Sequence, residues 1–219
     1  MVIKVASQWR HCMIFKLNET QQKVTRSLIE KYRFKKDKQT LNFNDKGLDR
    51  PADAHPHEQK GYVNGVNNQE IMILSKVFKE HLQNEKILMA QVNIAFKPFG
   101  IHTDYDREDI NPGHAILVPY ETVDSRTIIF NETSTVKDDG LTTLRQLPIN
   151  KNHPTKEEYN KYFTHNRWQD VQLLSIKEIF QWQKGYAVKW DRSEYHTSDN
   201  FLQNELNDKI ALVMFNERV

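Results

Sequence analysis

Apolar and polar residues change their spacing several times along this chain, and each change marks an element. Val24, Leu28 and Ile29 fall on one helical stripe, and Asn18 stands at an N-cap position. A helix is therefore predicted from Asn18 to about Tyr32. Residues 37–68 are polar and irregular, rich in Asn, Asp and His, and read as loops or short strands. Ile71, Leu74, Phe78 and Leu82 return to helical spacing and predict a second helix over about 68–83. The period then drops to two, with Val92, Ile94 and Phe96 on one side of the segment 91–97. Strands are predicted near 88–97, 102–105, 114–121 and 126–132. The stretch 134–184 interrupts them. Within it Thr155-x-x-Glu158 and Ser175-x-x-Glu178 read as capping boxes opening short helices. Trp168, Phe180 and Trp182 are expected to pack this stretch onto the sheets. Three strands finish the chain: 185–191 with Tyr186, Val188 and Trp190 on one face, the segment around 194–198, and the apolar run 209–215.

Composition suits one domain built on such a core. A chain of 219 residues, 38% hydrophobic and 11% aromatic, can bury a sizeable interior. The expected division is a single domain over 1–219, with a helical and loop part at 1–87 and a strand core at 88–219 carrying the insertion at 134–184. No apolar run approaches the ~20 residues that span a bilayer. The N-terminus lacks a signal-peptide pattern, and the single cysteine, Cys12, excludes an internal disulfide; together they suggest a reducing cytoplasm. The net charge of +2 hides an asymmetry, since residues 1–40 carry ten Lys/Arg against three Asp/Glu. The densest cluster, 33–38, reads first as a solvated helix face; contact with nucleic acid is a less favoured reading.

The chemistry lies in two short segments, Gly-Ile-His-Thr-Asp at 100–104 and Glu-Tyr-His-Thr-Ser at 194–198. In an extended chain residues i and i+2 project to one side, so His102 and Asp104 aim an imidazole and a carboxylate at a common point. His196 follows another strand pattern and adds a second imidazole. Two His and one carboxylate are the ligand set that holds iron(II) on one face and leaves the other open.

The order His-x-Asp, a long interval, a second His and then a basic residue opening the next strand resembles the Fe(II)/2-oxoglutarate-dependent dioxygenase superfamily. His102, Asp104, His196 and Lys209 carry the resemblance, 13 positions separating the last two. It covers the second half of the chain. It implies an α+β fold with a mainly β core, a double-stranded β-helix (jelly-roll or cupin-like barrel) braced by N-terminal helices and a helical insertion. It further implies iron(II), 2-oxoglutarate as cosubstrate and O2. Oxidative decarboxylation to succinate and carbon dioxide would be coupled to hydroxylation of an unactivated C–H, on a small molecule or a peptidyl residue. His102, Asp104 and His196 would bind the metal. Lys209, on the face it shares with Ala211, Val213 and Phe215, would pair with the distal carboxylate of the cosubstrate, with Arg126 as the fallback. Asn93, on the strand before the metal motif, matches a position that bonds the cosubstrate in several members.

Each residue also has a plainer reading. His102 can be a surface histidine beside a turn, Asp104 a solvated acid, Lys209 an ordinary strand-opening lysine and Asn93 an exposed polar position. Asn131 is a weaker pocket candidate, and Tyr105 and Arg107 read as loop residues near an entrance. His55-Pro56-His57 has metal-like spacing, but its surroundings lack apolar alternation and Pro56 disfavours a central strand, so it reads as a loop. His11, His81, His114, His153 and His165 stand alone. Two further function classes stay open: a cupin-like metal enzyme without 2-oxoglutarate, and a non-catalytic jelly-roll binding module. Substrate choice would reside in the loops 37–68, 105–113 and 134–170.

Overall fold

A computed structural model describes residues 12–33, 61–105, 111–134 and 141–219. Among the described residues nine strands form two antiparallel sheets. The larger has the order β1 (Met13–Lys16), β7 (Tyr186–Asp191), β4 (Pro112–Pro119), β9 (Lys209–Arg218), β3 (Glu85–Ala95), β2 (Gly61–Gly65). The smaller has β6 (Ile176–Gln181), β5 (Arg126–Thr133) and β8 (Glu194–Ser198). From β6 onward successive strands alternate between the sheets, which is the winding of a double-stranded β-helix.

Strand parity decides which residues fill the space between the sheets. On β9, Ala211, Val213 and Phe215 join Leu117, Val188, Trp190, Ile129, Phe180 and Trp182 in the inter-sheet core. The intervening Leu212 and Met214 point outward and are covered by Leu28, Ile29, Leu74 and Phe78. Each fully buried side chain of this size contributes about 1.5–3 kcal/mol. A strand covered on both faces reads as a continuous apolar run, and β9 does.

The covering helices are α1 (Glu19–Tyr32) and α2 (Asn68–Val77). Asn18 and Gln21 form a reciprocal capping box on α1, and Asn67 caps α2. The second helix breaks at Phe78 and resumes as α3 (Lys79–Leu82). Four short helical pieces, α4 (Leu141–Leu144), α5 (Lys156–Glu158), a π-turn (Tyr159–Phe163) and α6 (Trp168–Val171), precede β6. They bury Leu144, Phe163 and Val171 against Ile128, Phe130 and Tyr195 on the outer face of the smaller sheet. Thr155 and Glu158 form the capping box that their spacing predicts.

Two predicted elements take another form. Ser175 leads into β6 instead of capping a helix: it stands just before the strand, and its N–H and hydroxyl both donate to Glu132 of β5, at 2.8 Å each. Glu178 is then a strand residue paired in register with Ile129. Residues 102–105 form no strand; a single bridge joins His102 to His196 before the chain turns along Arg192. The edge strands β1 and β2 add to the larger sheet, and no described helix is long and apolar enough to cross a membrane.

Candidate metal and cosubstrate site

His102 and His196 are held opposite one another by two backbone hydrogen bonds. The His102 N–H donates to the His196 carbonyl at 3.0 Å, and the His196 N–H returns to the His102 carbonyl at 2.9 Å. The paired rings lie 4.2 Å apart between centroids. Each ring also engages a carbonyl two residues upstream through Nδ1, His102 to Gly100 at 2.8 Å and His196 to Glu194 at 3.2 Å. A carbonyl only accepts, so Nδ1 carries the proton and the Nε2 lone pair is left for another partner. Burial, only partly opposed by Asp104, pushes His196 down to about 4, so its imidazole is neutral at pH 7.

Both Nε2 atoms face Asp104: Oδ2 stands 3.4 Å from His196, and Oδ1 stands 3.8 Å from His102. The three ligand atoms lie within 4.8 Å of one another, the one such group among the described residues. Ligands bonded at ~2.1 Å and at right angles are about 3 Å apart, so closing the ligand atoms on one another by no more than about 2 Å brings them onto one ion. Asp104 Oδ2 is buried and has no hydrogen-bond partner. A buried carboxylate oxygen facing the Nε2 atoms of two imidazoles is short of a cation, and the donor set suits iron(II).

Arg192, in the β7–β8 turn, touches the site in a way that reading the sequence misses. It looks like one member of a polar link, yet it is buried, lies over the Phe215 ring at 5.3 Å and donates to the Asp104 carbonyl through Nε (3.0 Å) and Nη2 (2.7 Å). The Asp104 N–H donates to the Arg192 carbonyl at 3.0 Å. No sequence spacing points to this clamp, since it depends on where the turn closes. Trp190, 4.9 Å from His196 between ring centroids, packs the other side of the site.

Lys209 opens β9 on the inter-sheet face, as its parity with Ala211 requires. Only 4% exposed, its ammonium lies 4.3 Å from the Trp182 ring and 4.9 Å from the Phe201 ring, and donates to Ser125 Oγ at 2.9 Å. Burial brings Lys209 down to about 7, against a smaller upward pull from Asp199. Asn93 pairs in register with Ala211, so it shares that face, and its Oδ1 is buried without a partner.

The remaining candidates lie elsewhere. Arg126 shares the outer face of β5 with Ile128 and Phe130, and its guanidinium binds Asp124 (2.9 Å) and Asp199 (3.2 Å). Asn131 is exposed and donates to Ser175 Oγ at 3.1 Å. Tyr105 is half-buried just past Asp104. Arg107, His11, His55 and His57, with most of the basic cluster at 33–38, lie outside the described residues. Among the single histidines, His81 stacks on Phe15 and His153 packs edge-on to Trp168. His165 bonds the Phe99 carbonyl, and His114 Nδ1 meets Glu85 at 2.5 Å. Burial, reinforced by Glu178 and Glu194, pushes the Cys12 thiol up to about 12, which makes it a poor nucleophile.

The two facing sheets, the His-x-Asp turn beside a His-bearing strand and the lysine at the head of the closing strand define the fold class of the 2-oxoglutarate/Fe(II) oxygenases. Solved structures agree on that fold. The chain is similar to the non-heme alpha-ketoglutarate-dependent carbocyclase SnoK from nogalamycin biosynthesis, with TM-score 0.54, 8% identity, and 95% of this chain and 80% of that one covered. It is similar to the epimerase SnoN of the same biosynthesis at TM-score 0.55 and 8% identity, covering 95% and 79% of the two chains. A Pseudomonas putida prolyl-4-hydroxylase matches at TM-score 0.50 and 8% identity over 96% of this chain and 94% of its own. No family model and no curated protein matches the sequence.

Proposed function

We propose that the protein is an Fe(II)- and 2-oxoglutarate-dependent dioxygenase that hydroxylates an unactivated C–H, with residues 1–219 acting as one catalytic unit. The observation that carries this reading is the convergence of His102, Asp104 and His196, with a buried Asp104 oxygen left unpartnered. A buried ammonium on the same inter-sheet face adds to it, because Lys209 has no role on that face in a metal site that takes no anionic cosubstrate.

The chain's own part is to bind, orient and exclude water. The Nε2 atoms of His102 and His196 and the carboxylate of Asp104 would hold iron(II), while the carbonyls of Gly100 and Glu194 fix the ring orientations. Lys209 would hold the distal carboxylate of 2-oxoglutarate, with Trp182 and Phe201 keeping water from the ammonium. Asn93 would offer its side-chain amide to the cosubstrate. When bound, iron and 2-oxoglutarate supply the oxidising chemistry, with succinate and carbon dioxide as coproducts. The named neighbours include a carbocyclase, an epimerase and a hydroxylase. A small-molecule or peptidyl substrate fits the reading, and a reducing cytoplasm would keep the iron ferrous.

Succinate formation from 2-oxoglutarate with iron(II), ascorbate and O2 tests the proposal. Slow turnover without substrate is expected from the wild type and none from His196→Ala. A wild-type protein that binds iron(II) yet consumes no 2-oxoglutarate would sink it.

A further inference from the structure

Behind Lys209 runs a chain of hydrogen bonds whose direction is fixed. The ammonium donates to Ser125 Oγ at 2.9 Å, so the single hydroxyl hydrogen is left to go to Asp199 Oδ1, 2.8 Å away. Asp199 Oδ2 accepts from Arg126 Nη1 at 3.2 Å. Lys209, Ser125 and Asp199 are 4%, 0% and 1% exposed. We infer that Asp199, acting through Ser125, is a positioning residue that keeps the Lys209 ammonium charged and aimed while leaving its remaining hydrogens for the cosubstrate carboxylate.

The reasoning is one of charge and donor count. A lysine in direct contact with an acid would spend its hydrogens on that acid. Here the hydroxyl stands between them and takes one of the three. The aromatic faces of Trp182 and Phe201 attract the cation, but they offer no oxygen to receive its hydrogens. The field reaching Lys209 comes from Asp199 and opposes the depression caused by burial. The other charged groups nearby sit behind Asp199: Arg126 on its far oxygen, and the largely exposed Asp124 on Arg126. Asp124 balances Arg126, and Asp199 reaches Lys209 only through the Ser125 hydroxyl, so the ammonium has no anion in direct contact. The cosubstrate carboxylate would supply one, and in this respect the inference rests on the proposed function.

The test reads the ammonium directly, in metal-free protein labelled with 13C-lysine, with the Lys209 signal identified by its loss in Lys209→Met. Asp199→Asn and Ser125→Ala should lower the titration midpoint by about one unit, while Ser125→Thr, which keeps the hydroxyl, stays near wild type. An unchanged midpoint in Asp199→Asn overturns the inference. Turnover gives the second reading. At pH 6, where about half of the variant's ammonium is still charged, KM for 2-oxoglutarate in Asp199→Asn should stay within about twofold of wild type. At pH 8 it should be about tenfold higher with kcat at saturation unchanged. An equal rise at both pH values would mark a merely structural role and also overturn the inference. If the midpoint shifts as expected but manganese(II)-loaded wild type fails to bind N-oxalylglycine, it is the cosubstrate reading that falls, and the hold of Asp199 on Lys209 stands.

Discussion

Arg192 grips the main chain of Asp104, not its carboxylate: Nε and Nη2 both donate to the Asp104 carbonyl, at 3.0 and 2.7 Å. The carboxylate is thereby aimed without being neutralised, which a direct Arg–carboxylate pair would do. Arg192→Lys keeps the charge but loses the planar fork. Manganese(II) affinity should fall by about 10–100-fold, as for other groups that orient metal ligands. Calorimetric titration of the variant checks this, and unaltered affinity would show that Arg192 acts on stability alone.

The three ligands enclose an unsatisfied carboxylate oxygen, so occupancy should stabilise the fold. At a metal concentration one hundred times Kd the gain is about 2.7 kcal/mol. For a chain of this length that corresponds to a Tm rise of roughly 5–10 °C. Manganese(II) should produce this shift in the wild type and none in His102→Ala or His196→Ala. A similar shift in the His102→Ala protein would move the metal site elsewhere.

Glu132 connects the insertion to the smaller sheet. It accepts from the Ser175 N–H and hydroxyl at 2.8 Å each and from the Asn150 side chain at 2.6 Å. Glu132→Ala leaves part-buried donors unpaired, a loss of about 2 kcal/mol. Urea denaturation should register it, with hydrogen exchange accelerated first around 147–175. Slowed or unchanged exchange there would show that the insertion is held by its apolar contacts with Ile128 and Phe130 instead.

Much of this arrangement is legible in the residue pattern, and the parts that are not share a cause. Period two on β9 is set by the pleat, so the common face of Lys209, Ala211, Val213 and Phe215 follows from spacing alone. The Asn18 cap is equally local. By contrast, Ser175-x-x-Glu178 is compatible with a helix until Glu132, 43 positions away, claims both Ser175 donors. The path of 102–104 depends on Arg192, 88 positions distant. Arg126 reads as a strand-opening cation and so as a partner for an anion. Its parity with Ile128 and Phe130 instead turns it to the outer face, where Asp199 and Asp124 take it. Local rules reach caps and faces; partners brought together by the winding of the sheets need the fold.

The buried Lys209 has an effect on stability whose sign can be worked out. Burial depresses it to about 7, below the ordinary lysine value of 10.5 that applies to the unfolded chain. Between those pH values the unfolded chain binds more protons, so stability rises with pH across that window. Below pH 7 the full penalty applies, at most about 5 kcal/mol. Lys209→Met places an unbranched apolar side chain among Trp182 and Phe201, and removing a buried charge in this way is often neutral or stabilising. The variant should therefore gain Tm at pH 6, show less gain at pH 10, and lose affinity for 2-oxoglutarate while keeping manganese(II). Wild-type affinity for 2-oxoglutarate should correspondingly weaken as pH rises above about 7, where the free ammonium gives up its proton. Thermal scans of both proteins at the two pH values, each with and without metal, decide the matter. A variant less stable than wild type at pH 6 would mean that the ammonium is a net structural support rather than a charge held ready for an anion.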